Sequence, residues 1–119
     1  MKKNILVVDD NEDIVDLISY ELLHKGFNVL FASNGEDAFN VLNSEKIDLL
    51  LSDIQMPGCD GIALMKRVKA SEHNPICILM TGLAHVPPED IKGTGVKGIF
   101  YKPVNRAELF KFITNALKD

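Results

Sequence analysis

The chain has 119 residues, of which 46% are hydrophobic, and this length and composition suit one compact domain spanning residues 1–119. The net charge of −4 argues against a broad basic surface, so we expect no direct binding of DNA or RNA. No apolar run approaches the roughly 20 residues that cross a membrane, and no secretory signal precedes the first strand, so we expect a cytoplasmic protein without membrane association.

Cysteine and histidine give no indication of a metal or redox site. Cys59 and Cys77 match neither a CxxC motif nor a zinc-ligand spacing, and cytosolic thiols stay reduced. The three histidines lie far apart in the sequence. We therefore expect both cysteines to serve as small side chains without a redox role.

Short apolar runs typical of buried strands alternate with segments of helical spacing in the first half of the chain. Residues 5–8 are predicted to form a strand, and Asn11 is predicted to cap a helix that ends near residue 25. A second strand (27–32), a turn and cap (33–35), a second helix and a third strand (49–53) follow. The first helix is predicted to bury an apolar face made of Ile14, Val15, Leu17, Ile18 and Leu22.

The second half continues the same alternation. Residues 61–70 are predicted to form a helix and residues 76–80 a strand. The prolines and glycines of residues 86–95 predict a fourth helix that is short or distorted. Residues 96–101 are predicted to form a fifth strand, and Asn105 with Glu108 resembles a capping box for the last helix. Five strands alternating with helices predict an α/β domain with a doubly wound parallel sheet, covered on both faces.

Polar side chains stand where four of these strands end. Asp9 and Asp10 follow the first strand, and the other three strands end at Asp53, Thr81 and Lys102. Asp53 alone is equally consistent with a turn or cap residue. The carboxyl ends of parallel strands, however, meet at one edge of a sheet, and three carboxylates, a hydroxyl and an amine at that edge favour a functional site.

The chemistry of this set favours a phosphoryl-transfer site that uses magnesium. Three neighbouring carboxylates repel one another, so a bound cation would keep them ionised, and Mg²⁺ prefers such oxygen ligands. One carboxylate could then attack phosphorus as a nucleophile. Lys102 could neutralise a phosphoryl oxygen, and Thr81 could donate a hydrogen bond to another.

At this point the sequence resembles the receiver domains of two-component response regulators, whose founding example is the bacterial chemotaxis receiver. The resemblance covers essentially the whole chain and implies the flavodoxin-like strand order 2-1-3-4-5. Its motifs are Val7-Val8-Asp9-Asp10, the run Asp53-Ile54-Gln55-Met56-Pro57-Gly58-Cys59-Asp60-Gly61, Thr81-Gly82 and Lys102-Pro103.

The resemblance implies a role for each residue of the site. Asp53 would accept phosphate from a histidine kinase or a phosphotransfer protein, and Thr81 and Lys102 would sense the phosphoryl group. Asp53, Asp10 and the backbone carbonyl of Gln55 would bind Mg²⁺ directly, with Asp9 assisting through water, and the Lys102–Pro103 bond would often be cis. The output would be altered binding of a downstream effector protein or domain. The protein would thus be a signalling phosphoacceptor that assists its own phosphorylation and dephosphorylation, and not an independent enzyme.

Two departures from the family pattern concern the output. The family usually carries Tyr or Phe three residues before this lysine, where this chain has Ile99. Tyr101, predicted to lie on the same sheet face as Ile99, is the nearest substitute. Alternatively, residues 87–95 could change order on phosphorylation. The interval from Thr81 to Lys102 is also about one residue shorter than is common in the family.

Other functional classes fit the sequence less well. Residues 93–98 match GxGxxG by letter but precede a strand, whereas a dinucleotide fingerprint follows one. No P-loop motif is present. By resemblance to its class, a magnesium-dependent aspartyl phosphatase would carry an acidic residue two positions after its nucleophile. This chain has Asn11 at that position after Asp9 and Gln55 at that position after Asp53. A phosphorylation-independent interaction domain stays open as an alternative because of Ile99.

With Asp119 directly after the last predicted helix, the chain is consistent with a free-standing receiver or with part of a larger regulator or hybrid kinase.

Overall fold

A computed structural model describes residues 2–56, 58 and 60–118. Five strands and five helices alternate along this part of the chain, and all strand pairs are parallel in the order β2-β1-β3-β4-β5. The predicted α/β class and strand order are confirmed. The elements are β1 (Asn4–Val8), α1 (Glu12–His24), β2 (Asn28–Ala32), α2 (Gly35–Ser44), β3 (Leu49–Asp53), α3 (Gly61–Ala70), β4 (Ile76–Thr81), α4 (Pro88–Ile91), β5 (Gly98–Tyr101) and α5 (Arg106–Ala116).

The central strand β3 is buried along its whole length, as its continuous apolar run predicts. It lies between β1 and β4, and the helices cover both faces of the sheet. On one face α2 and α3 pack on a core that includes Leu6, Leu50 and Leu79. On the other face α1 and α5 pack on a core that includes Leu51 and Ile78. Because apolar cores cover both faces of the sheet, polar side chains are found at the ends of the strands.

Side-chain caps begin four of the five helices. The predicted caps Asn11 and Asn105 accept backbone hydrogen bonds from the first turns of α1 and α5, and Asn34 does the same for α2. Asp60 caps α3 by accepting from the Ala63 N–H at 2.7 Å. These caps fix where each strand-to-helix loop ends, and three of those loops, those before α1, α3 and α5, border the polar edge of the sheet.

Two details of the sequence-based prediction are wrong. Leu17 was predicted to face the core, but it is 47% exposed, because the buried residues of α1 form a narrower stripe of Val15, Ile18 and Leu22. The fifth strand begins at Gly98 and not at residue 96. Gly95 adopts a φ of +76°, and this turn delays the entry of the chain into the sheet.

The short fourth helix is confirmed, and the segment around it has an anchor that the sequence did not reveal. The helix α4 has four residues and is followed by Gly93 at a φ of +80°. Thr94 is buried, and its hydroxyl donates to the Ile91 carbonyl at 2.6 Å and accepts from the Val96 N–H at 3.3 Å. The segment therefore has a polar anchor despite its few apolar residues.

Within the described residues, no helix combines the length and the apolar character that a membrane span requires. Burial raises the pKa of the Cys77 thiol to about 11, so this thiol stays protonated at neutral pH. Cys59, the other residue that was interpreted as a small side chain, lies outside the described residues, as does Pro57 of the motif that follows β3.

Candidate functional site

The sheet brings together the polar side chains that the sequence places at strand ends. Asp9 directly follows β1, Asp53 ends β3, Thr81 ends β4, and Lys102 directly follows β5. In the order of the sheet these four strands are consecutive, so residues up to 93 positions apart in sequence become neighbours. All four lie at the carboxyl edge of the sheet, as predicted.

Lys102 is the residue that joins two of the carboxylates. Its ammonium nitrogen donates to Asp9 Oδ2 and to Asp53 Oδ2, each at 3.2 Å. The Asp9 side chain is fully buried and that of Asp53 nearly so, whereas Lys102 keeps 23% of its side chain exposed. One cation is thus shared by two buried anions and offsets only part of their charge.

The backbone holds the second oxygen of each of these carboxylates. Asp9 Oδ1 accepts from the Asn11 N–H at 2.9 Å, and Asp53 Oδ1 accepts from the Gln55 N–H at 3.3 Å. Both bonds reach two residues along the chain, so the loops that leave β1 and β3 orient the carboxylates themselves. The backbone of these two loops therefore positions both carboxylates.

Asp10 completes a group of three carboxylates. Asp9, Asp10 and Asp53 each offer an oxygen, and these oxygens lie within 4.8 Å of one another. Asp10 is exposed, which leaves room for water on that side. Hard oxygen donors beside open solvent are the ligands that Mg²⁺ prefers, so this pocket could hold that ion. The Gln55 backbone borders the pocket, and the role of its carbonyl as a ligand stays a prediction.

Burial and charge shift the pKa values of two residues in the site. Burial raises the pKa of Asp9; the backbone bond from Asn11 opposes this shift and the charge of Asp53 adds to it. Burial alone would lower the pKa of Lys102, but its hydrogen bond to Asp53 and the charge of Asp9 outweigh that effect and raise it. Lys102 is therefore charged at neutral pH, whereas burial disfavours the ionised form of Asp9.

Thr81 ends β4, which lies on the side of β3 away from β1, and its side chain is fully buried. The Lys102 N–H donates to the Thr81 carbonyl at 2.7 Å, which ties the ends of β4 and β5 together. The Thr81 hydroxyl oxygen accepts from the Leu83 N–H at 3.0 Å. Its proton stays available for donation to an oxygen in the site, and the same hydroxyl contacts the loop after β4.

Tyr101 also contacts this loop, through an atom pair that the sequence did not reveal. Its hydroxyl oxygen accepts from the backbone N–H of Val86 at 3.3 Å. Val86 is buried in the same core as the partly buried Ile99, whereas Phe100 packs on the opposite face against Phe112. The prediction that Ile99 and Tyr101 share a face is therefore confirmed, and Tyr101 connects β5 to the β4–α4 loop.

Gly61 is a structural residue of the site that sequence reasoning did not explain. Its N–H donates to the Ile54 carbonyl at 2.8 Å, which folds the loop after β3 back onto the strand. A Cβ atom at this position would collide with the carbonyl oxygen of Asp53. The signal in the sequence that could have revealed this role is a glycine directly after Asp60, the cap of α3. At that position the first turn of α3 packs on the end of β3. The Lys102–Pro103 bond is cis, as the resemblance implied.

Comparisons with known proteins agree on one family. A sequence model described as the response regulator receiver domain matches residues 5–114. The chain is 33% identical over 110 residues to sporulation initiation phosphotransferase F of Bacillus subtilis, covering 92% of this chain and 89% of that protein. It is 31% identical over 118 residues to the transcriptional regulatory protein GlrR of Escherichia coli, covering 98% of this chain. The chain spans only 26% of the length of GlrR.

A solved structure extends this similarity to three dimensions. The response regulator TrrA of Thermotoga maritima, solved in complex with Mg²⁺ and BeF, superimposes with a TM-score of 0.87 at 31% sequence identity. The match covers 97% of this chain and 99% of that one. Sequence and fold therefore agree over nearly the whole chain.

Proposed function

Since the chain belongs to the response regulator receiver domain family, we propose that it accepts a phosphoryl group on Asp53 from a histidine kinase or a phosphotransfer protein. The observation that carries this proposal is the bridge of Lys102 between Asp9 and Asp53, with Asp10 beside them. A phosphorylated carboxylate needs a cation and a hydroxyl donor beside it, and Lys102 and Thr81 provide them.

Asp53 is the nucleophile in this proposal. Its side-chain oxygen forms a bond to phosphorus while the bond from phosphorus to the donor imidazole nitrogen breaks, and that nitrogen keeps the electron pair and takes up a proton. Lys102 is already within 3.2 Å of Asp53, so it can neutralise a phosphoryl oxygen with a small movement. Thr81 can donate its hydroxyl proton to a second phosphoryl oxygen.

The proposed site would take Mg²⁺, which Asp10, Asp53 and the Gln55 carbonyl would hold directly and Asp9 would hold through water. Support comes from the carboxylate oxygens within 4.8 Å of one another and from the Mg²⁺ in the related TrrA structure. When bound, the ion would reduce the repulsion between the carboxylates and an anionic phosphodonor. The residues of the chain do the remaining work of orientation and proton donation.

The proposed role is a signal and not turnover of a substrate. The chain would assist its own phosphorylation and dephosphorylation, and the phosphorylated form would bind a downstream effector protein or domain differently. The names of two relatives, a sporulation initiation phosphotransferase and a transcriptional regulatory protein, support a place in a phosphorelay that ends in an effector.

The experiment is phosphorylation by phosphoramidate, a small donor that needs no partner protein. Intact-mass analysis should detect one added phosphate on the parent chain with Mg²⁺ and none after chelation of the metal. Asp53→Asn should stay unlabelled, whereas Asp16→Asn, which removes an exposed carboxylate of α1 that takes no part in the Lys102 bridge, should label like the parent. Labelling of Asp53→Asn at the rate of the parent would overturn the assignment, and no labelling of the parent would favour an interaction domain that works without phosphate.

A further inference from the structure

The second strand forms an open, apolar edge of the sheet. In the sheet formed by the described residues, β2 has a neighbour on one side only. Its sequence, Asn-Val-Leu-Phe-Ala, contains neither the charged residue nor the proline that usually protects such an edge from pairing. Phe31 is 70% exposed, although it is the largest side chain of the strand. An edge of this kind is suited to pairing with another chain.

The hydrogen bonds of β2 show which backbone groups are free. The Asn28 N–H donates to the Lys3 carbonyl at 3.0 Å, and the Asp9 N–H donates to the Ala32 carbonyl at 3.1 Å. In a parallel ladder, alternate residues of a strand bond to the same neighbour. Residues 28, 30 and 32 therefore face β1, and the N–H and C=O groups of Val29 and Phe31 point away from the sheet.

A groove of about 520 Å³ runs beside this edge, between β2 and α1. Its apolar part is made of Val29, Phe31 and Leu23, and Leu23 is 56% exposed. The groove is also lined by four acidic residues: Glu12, Asp16 and Asp37, which are exposed, and Asp9, which is buried. Apolar contacts and negative charge thus lie within reach of the free backbone groups.

From these observations we propose that the free edge of β2 and the groove beside it bind an extended, basic segment of a partner protein by strand addition. The backbone of Val29 and Phe31 would extend the ladder, the side chains of Leu23 and Phe31 would cover the apolar residues of the segment, and the acidic residues would select for Lys or Arg. Asp9 lines both the groove and the carboxylate site, but Asp10 and Asp53 do not line the groove, so we expect binding without phosphorylation.

Charge distinguishes this partner from a second copy of the same chain. Two copies paired through β2 would bring two sets of Glu12, Asp16 and Asp37 together, and each chain already carries a net charge of −4. Like charges across an interface disfavour association, whereas opposite charges favour it. A basic segment satisfies both the apolar and the charged parts of the groove.

The probe is a short synthetic peptide in which lysine alternates with valine and leucine, compared with two peptides of matched length. One replaces lysine by glutamate, and the other carries N-methyl groups on alternate amides, which removes the donors of a strand ladder. Only the first should bind saturably in calorimetry. It should slow the hydrogen exchange of the Val29 and Phe31 amides, which face the partner, with little change at Leu30, which already faces β1.

Variants of the chain separate this surface from general attraction of cations. Phe31→Lys and Leu23→Lys should each weaken the peptide at least about tenfold. Tyr20→Lys adds the same charge at an exposed aromatic residue of α1 that lies outside the groove, and it should weaken the peptide much less than either of these variants. Circular dichroism would verify that each variant is folded.

Three results would overturn the proposal. The first is equal binding of the N-methylated peptide, and the second is binding without protection of Val29 and Phe31. The third is a dimer of the parent chain in sedimentation that Phe31→Lys dissociates, because the occupant of the edge would then be a second copy. Since unphosphorylated protein is used throughout, none of these results bears on Asp53 as a phosphoacceptor.

Discussion

Asp9 and Asp10 are adjacent in sequence but differ in environment. Asp9 is 2% exposed and pairs with Lys102, whereas Asp10 is exposed. The raised pKa of Asp9 means that the folded chain holds a proton on this carboxyl more readily than the unfolded chain does. The ionised form of Asp9 is therefore a source of electrostatic strain in the metal-free site.

Replacing Asp9 by Asn should stabilise the metal-free protein at neutral pH. The amide can keep only one of the two hydrogen bonds of the carboxylate, but Lys102 keeps its bond to Asp53, and the cost of a buried charge is removed. We expect the melting temperature to rise by a few degrees, since ~1 kcal/mol corresponds to about 4–8 °C in a small domain. Calorimetry without Mg²⁺ would measure the shift, with Asp16→Asn as the control for loss of one negative charge.

The pH dependence of this gain has a defined sign. A raised carboxyl pKa lowers stability as the pH rises from the ordinary value of 3.8 through the value in the folded chain. The advantage of Asp9→Asn should therefore grow over that window and stay constant above it. Lys102 behaves differently, because its raised pKa adds stability that is lost only as the pH climbs above 10.5. A variant that is less stable than the parent at neutral pH would contradict this description of the site.

The loop between β3 and α3 depends on a residue without a side chain. Gly61→Ala would place a Cβ atom against the Asp53 carbonyl oxygen, a backbone atom that cannot rotate away. We expect a loss of roughly 2–4 kcal/mol in the free energy of unfolding, measured by urea denaturation. Gly58→Ala offers a contrast, since its Cβ would meet nothing within 4 Å and only the φ of +81° is strained. Equal losses in the two variants would show that close packing at residue 61 is not the cause.

A hydrogen bond from Val86 to Tyr101 links the β4–α4 loop to β5. Tyr101→Phe removes the acceptor of the Val86 N–H, so we expect a loss of about 0.5–1.5 kcal/mol and faster amide exchange at Val86. Exchange measured by NMR would test this, with Tyr20→Phe as the control at an exposed ring.

The same bond bears on the output, because Thr81 and Tyr101 contact one loop. If Tyr101 replaces the aromatic residue that the family usually carries at the position of Ile99, addition of Mg²⁺ and beryllofluoride should change the NMR chemical shifts of the Val86 and Tyr101 amides in the parent. The change should be smaller in Tyr101→Phe. Shifts confined to Asp53, Thr81 and Lys102 would indicate that this connection transmits no signal. The buried anchor Thr94 makes loss of order after α4 the weaker alternative.

At the scale of the whole molecule, the sequence predicted what depends on local patterns. Continuous apolar runs predicted the strands, and the polar residues after them predicted Asp53, Thr81 and Lys102 at one edge. The particular atoms that meet when distant segments pack together could not be predicted. The Tyr101–Val86 bond, the fit of Gly61 against Asp53 and the exposure of Phe31 each follow from how separate elements pack.

The residue that carries the phosphoryl group can be identified by chemical trapping. Phosphorylated protein would be reduced with borohydride, which converts an aspartyl phosphate to homoserine, and then digested and sequenced by tandem mass spectrometry. We expect homoserine at residue 53 alone, only in samples phosphorylated with Mg²⁺ present. Homoserine at Asp9 or Asp10 in place of residue 53 would contradict the assignment of Asp53 as the phosphoacceptor.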